Sequence, residues 1–128
     1  MIKFLYNAAL LVIAICMTGC DDVCSNEVIA EKVNNSKTYK LVHFDRNCGA
    51  TTGNSNQLSI VSIDKSLDNE GGNIFIASSD SGSNLETDRG VVAKWLNDST
   101  VLIKYEKDLT VFEKVNKVGE INVVYESF

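Results

Sequence analysis

The feature that most constrains this chain is a series of short runs rich in β-branched and aromatic residues, most of them alternating in character and each ended by turn-forming residues. They are "EVIAEKV" (27–33), "TYKLVHFD" (38–45), "QLSIVSID" (57–64), "NIFIASS" (73–79), "VVAKWL" (91–96), "TVLIKYE" (100–106), "LTVFEKV" (109–115) and "EINVVYE" (120–126). Alternation sends successive side chains to opposite faces of a strand. In the second run Tyr39, Leu41 and His43 alternate with Lys40, Val42 and Phe44. The spacing between runs is too short for crossover helices, so the expected fold is all-β, a small antiparallel meander forming a sandwich or partly closed barrel. Proline is absent. The turns therefore fall to Gly, Asn, Asp and Ser, as in "NNSK", which joins the first two runs into a hairpin.

Two stretches fit that pattern less simply. "SNEVIAEKVNN" brings Val28, Ile29 and Val33 near helical spacing, but its Val and Ile content favours a strand. "SDSGSNLETDRG" (79–90) has little apolar content and is expected to be an exposed, mobile loop.

The first 19 residues, "MIKFLYNAALLVIAICMTG", run from a short segment carrying Lys3 through an apolar stretch, Phe4 to Cys16, to small or uncharged residues. That order is expected of a secretory signal peptide helix. The apolar stretch is about 13 residues, against roughly 20 for a spanning helix, so a permanent transmembrane anchor is the weaker reading. "MTGC", Met17 to Cys20, resembles the bacterial lipobox, with Met17 where Leu is commonest. The resemblance implies diacylation of Cys20 and cleavage before it. The expected organisation is a signal peptide at 1–19, a lipidated N-terminus and short tether at 20–26, and one β-rich domain at 27–128. Acyl chains contribute about 0.8 kcal/mol of membrane attachment per buried CH₂, and two or three make it durable. Asp21, directly after the lipobox cysteine, resembles the enterobacterial signal for retention at the periplasmic face of the inner membrane, with the outer membrane as the alternative.

The formal net charge is −5 over 128 residues, and loss of Lys3 with the signal peptide takes it to −6. An acidic domain offers no electrostatic footprint for nucleic acid and no polybasic patch for anionic lipid.

Four cysteines sort by position. Cys16 leaves with the signal peptide and Cys20 takes the lipid. Cys24 and Cys48 remain, and in an oxidising compartment such a pair is most simply a disulfide. Cys24 lies four residues beyond Cys20, a reach of about 14 Å at roughly 3.5 Å per residue, so the domain is expected close to the bilayer.

The loop "RNCGATTGNS" (46–55) joins Arg, Cys, Thr and Gly and has the look of a site. A Cys48 thiolate beside Arg46 with His43 as base lacks an orienting third residue, and a Cys24 partner would consume the thiol. "GATTGNS" lacks the Lys and the following helix of a phosphate loop. "DNEGGN" and "SSDSGSNLETD" lack the ligand spacing of an EF-hand, and His43 is the only histidine, too few ligands for zinc. Catalytic and metal-binding residues and a cofactor are accordingly not assigned. Gly49 and Gly53 can take positive φ, while Thr51, Thr52, Asn54 and Ser55 can bond the turn's backbone.

"NNSKTYKLVHF" and "KWLNDSTVLIKY" look like blade elements of bacterial propeller repeats, although eight strands supply at most two four-stranded blades. "FDRNCGATTGNSNQLSI", with the downstream "GNIFIA" and "KWLNDSTVLIKY", resembles a family of small bacterial proteins sharing an Arg-x-Cys-Gly-Ala-Thr-Thr-Gly core between two strands. Asn47 and Asn54 stand where that pattern has an acidic and an aromatic residue. The family carries an architecture and no established activity.

The functional expectation is a membrane-anchored, periplasm-facing lipoprotein that is not an enzyme. It would act as a protein-interaction domain, in its more specific form an immunity or inhibitor protein. The recognition loop would present Arg46, Thr51, Thr52 and Asn54 to a protein partner. The competing expectation is an envelope small-ligand binder or hydrolase whose site is that same Arg46–Asn54 loop.

Overall fold

Each of the eight alternating runs contains a strand, and a short ninth strand lies between the last two. A computed structural model describes residues 23–49, 53–78 and 90–128 of the chain. The strands are β1 (Ser25–Val33), β2 (Tyr39–Asn47), β3 (Asn54–Ser62), β4 (Phe75–Ser78), β5 (Val91–Asn97), β6 (Thr100–Tyr105), β7 (Val111–Lys114), β8 (Lys117–Val118) and β9 (Ile121–Ser127). The proposed signal peptide, Cys20, Asp21, Thr51, Thr52 and residues 79–89 of the expected mobile loop lie outside the described residues.

The strands form two sheets, a five-stranded one in the order β1-β2-β3-β4-β7 and a four-stranded one in the order β5-β6-β9-β8. The all-β expectation holds, as two facing sheets rather than a closed barrel. Most neighbours are antiparallel, but β6 and β9 run parallel, Thr100 opposite Asn122 through Tyr105 opposite Ser127. The meander is broken because after β6 the chain crosses to the five-stranded sheet for β7, then returns through β8. That excursion reverses the direction in which β9 meets β6.

Alternation decides which side chains enter the space between the sheets. Leu41 on β2, Leu58 and Ile60 on β3, Phe75 and Ala77 on β4, Val101 and Ile103 on β6 and Ile121 and Val123 on β9 make one buried cluster. Fully burying a side chain such as Phe75 contributes roughly 2–3 kcal/mol. Phe75, Tyr105 and Tyr125 meet at one edge with ring centroids 5.6 to 6.5 Å apart. The Lys114 ammonium lies 5.0 Å from the Tyr125 ring centroid, a cation–π contact that closes this edge.

At the opposite edge the sheets are joined by side chains instead of a ladder. Trp95 Nε1 donates to the Lys32 carbonyl (2.8 Å), and Lys32 Nζ donates to the Ala93 carbonyl (2.5 Å). These bonds tie the edge of β1 to the edge of β5. The two nearby turns are joined as well. Asn34, buried at the end of β1, accepts from the backbone N–H groups of Thr38 and Tyr39 and donates to the Asp98 carbonyl in the β5–β6 turn. Asp98 Oδ1 in turn accepts from the Ser36 N–H.

The face of the five-stranded sheet turned away from the core is covered too. Val42 and Phe44 point there, yet both are fully buried. The β3–β4 connection, residues 63–74, runs over this face as a strap, bonded to Gln57 and Ser59, the cross-strand neighbours of Phe44 and Val42. It returns over β3, where the Gly72 N–H donates to Gln57 Oε1, the Asn73 N–H donates to Ser59 Oγ, and the Asn73 amide bonds both the N–H and the carbonyl of Ile60. Gly72 sits so close to β3 that a Cβ there would lie 2.7 Å from the Leu58 carbonyl oxygen. Only glycine fits.

Candidate functional site

One end of the sandwich gathers the residues singled out in the sequence. β2 and β3 pair antiparallel from Tyr39–Ser62 to Asn47–Asn54, so the two strands flank the segment that holds Cys48 and Gly49 on one side and Gly53 on the other. The Gly49 N–H donates to Asn47 Oδ1 (2.9 Å) and opens the turn. Gly49 and Gly53 both take positive φ, 108° and 67°, conformations that glycine adopts without steric cost.

Cys24 and Cys48 are disulfide-bonded, with their sulfur atoms 2.11 Å apart. The register explains the pairing: Ser25 lies opposite Asn47, so Cys24 and Cys48 extend the β1–β2 ladder by one more pair. Cysteine catalysis at Cys48 is thereby removed, because the sulfur that would attack is already bonded.

Arg46 and Asn54 belong to opposite faces. Arg46 points to the strap side, where Nη1 donates to Asn26 Oδ1 (2.8 Å) and Asn69 Oδ1 (3.1 Å). Asn69 Nδ2 donates to the Cys24 carbonyl, and Asn26 Nδ2 donates to the carbonyls of Asp68 and Glu70. Arg46, Asn26 and Asn69 thus fasten the tip of the strap to the first residues of β1, beside the disulfide. Asn54 lies on the core side, where its amide donates to Asp45 Oδ2 (2.9 Å). The structure therefore does not bring Arg46 and Asn54 together into one cleft.

On the core side the β2–β3 rows change character toward this end. Leu41 opposite Ile60 gives way to His43 opposite Leu58, then Asp45 opposite Asn56, then Asn47 opposite Asn54. His43 and Asp45 are each 5% exposed and Asn56 is inaccessible. His43 Nε2 is hydrogen-bonded to Asn56 Oδ1. This polar layer escaped the sequence reading: Asn56 lies just before the run 57–64, and only the β2–β3 register shows that it faces His43 and Asp45. The layer is internally bonded, and among the described residues no buried side-chain nitrogen or oxygen lacks a partner.

The recess next to His43, lined by Ala30, Lys32, Leu41, Leu58 and Ala93, holds about 10 Å³. That is room for about one water molecule, against the several hundred Å³ of a typical small-molecule site. Among the described residues no group of three or more His, Cys, Asp or Glu side chains is arranged to hold a metal ion.

No family model, curated protein or solved structure matches the chain.

Proposed function

We propose that the chain is a lipid-anchored, periplasm-facing protein that acts as a non-enzymatic interaction domain, with an immunity or inhibitor role as its more specific form. The observation that carries this reading is the Cys24–Cys48 disulfide. Such bonds persist in oxidising compartments, which supports export, and this one begins four residues after the lipobox cysteine. The acidic balance and the internally bonded His43–Asp45–Asn56 layer support binding over turnover. The competing site at the Arg46–Asn54 loop has less support, since those two side chains are engaged on opposite faces. With the lipid on Cys20, the Cys24–Cys48 end of the β1–β2 ladder faces the bilayer and the turns at 34–38 and 97–99 project away from it.

Radiolabelled palmitate fed to cells making the full chain tests the anchor. Label is expected in the wild type and absent in Cys20→Ser; equal labelling of both ends the lipoprotein reading. Co-purification from detergent-solubilised membranes tests the interaction. Recovery of a stoichiometric protein partner is expected, and its repeated failure under mild crosslinking removes the interaction role.

A further inference from the structure

We propose that the Cys24–Cys48 disulfide is a redox-sensitive latch for the 63–74 strap, and that its reduction frees the strap tip and uncovers the Val42–Phe44 face while both sheets stay folded. The inference does not depend on the anchor or on any partner.

Beyond its first residue, Ile63, whose N–H donates to the Thr38 carbonyl, the strap is held at its returning limb and at its tip. Its returning limb is bonded to β3 through Gly72, Asn73 and Ile74, the last donating its N–H to the Leu58 carbonyl. Among the described residues its tip, Asp68 to Glu70, is bonded to the sheet through Asn26, Arg46 and the Cys24 carbonyl. Two of those three anchors belong to the start of β1 or to the cysteine just before it. β1 is an edge strand, paired with β2 alone, and a register shift between Val28 and Ala30 separates its first residues from the rest of the ladder. The segment 24–28 is thus a short piece of edge strand, isolated by a bulge and secured at its free end by the disulfide. Edge segments with few buried contacts open at the lowest free energies. Remove the covalent tie and this is where the fold opens first, taking Asn26 and the Cys24 carbonyl away from the strap.

Both cysteines are partly exposed, so the bond is within reach of a dithiol. A thiolate of the dithiol attacks one sulfur, the Cys24–Cys48 bond breaks, and the departing sulfur takes up a proton. The second thiol of the reductant then closes its own disulfide and releases the first cysteine. Two electrons and two protons pass to the protein, leaving two thiols and an oxidised dithiol.

Hydrogen exchange on the full chain, oxidised against dithiothreitol-reduced, tests the latch. Amides at 24–28 and 68–72 are expected to exchange on the order of tenfold faster or more after reduction, while those of β2 and β6 keep their protection. Asn69→Ala with the disulfide intact should speed exchange at 68–72 but not at 24–28, which separates the strap's own anchor from the tie on β1. An unchanged strap after reduction overturns the proposal, and so does equal loss of protection across both sheets, since the latch requires a fold that survives its opening.

Discussion

Tyr125 shows how much one side chain carries at the edge where the chain changes sheets. Its hydroxyl proton is shared between the Val115 carbonyl at 2.6 Å and the Ile74 carbonyl at 3.0 Å, and its ring packs with Phe75 and Tyr105. Burial is the main cause that pushes this phenol from 10.0 up to about 12. A phenol whose pKa rises on folding favours the protonated state of the native protein. Its contribution is therefore complete below pH 10 and is lost as pH rises from 10 towards 12. Tyr125→Phe keeps the ring and removes the proton. The variant is expected to lose about 1 kcal/mol at neutral pH and to show a flatter fall in stability above pH 10 than the wild type, measured by urea unfolding across pH. A wild-type alkaline limb no steeper than that of the variant would contradict this account. Neither the hydroxyl's partners nor its burial could be read from "INVVYES"; alternation alone places Tyr125 with Ile121 and Val123 on the inner face, and the carbonyls it meets come from Val115, just after β7, and from the β3–β4 connection.

At the scale of elements, a buried amide helps to join the turns of the two hairpins β1–β2 and β5–β6. Asn34 uses its oxygen to hold its own turn and its nitrogen to reach Thr38 Oγ1 and the Asp98 carbonyl of the other turn. Replacing it strands the part-buried backbone N–H groups of Thr38 and Tyr39. Asn34→Ala is expected to cost about 2–3 kcal/mol by chemical denaturation. Asn34→Asp, which keeps the acceptor for Thr38 and Tyr39 but loses the donor to Asp98, should fall between the two. A loss below about 0.5 kcal/mol for Asn34→Ala would mean that water replaces the amide there. "NNSK" announces a turn in the sequence. Which of its two asparagines turns inward is decided by the register of the hairpin and by the arrival of the β5–β6 turn beside it.

For the whole molecule, covalent and ionic ties differ in weight. The salt bridges Lys40–Glu31 (3.9 Å) and Lys104–Glu126 (3.4 Å) each have an exposed acidic partner, and pairs of this kind contribute from nothing to about 1 kcal/mol. The Cys24–Cys48 disulfide spans 24 positions and, on the chain-entropy model, contributes about 3 kcal/mol by restricting the unfolded chain. The double variant Cys24→Ser/Cys48→Ser should therefore lose about 3 kcal/mol of unfolding free energy and match the reduced wild type, with far-UV circular dichroism still that of a β protein. Equal stability of the oxidised wild type and the double variant would remove the disulfide from the account of the fold. The strands were legible in the chain because alternation and turn residues are local properties, visible within five to ten residues. Cys24 and Cys48 were legible as a pair by elimination, since only two cysteines remained to be partnered. Much else depends on pieces far apart in the chain coming together, and short-range pattern carries no record of that. The parallel β6–β9 pairing, the Trp95–Lys32 clasp, the internal His43–Asp45–Asn56 layer and the strap over Val42 and Phe44 all belong to this second class. By itself the sequence determined that the chain folds as β-strands and which two cysteines join. The tertiary structure decided which strand faces which, and so turned a loop that looked like a reactive centre into the fastening of a covered sheet.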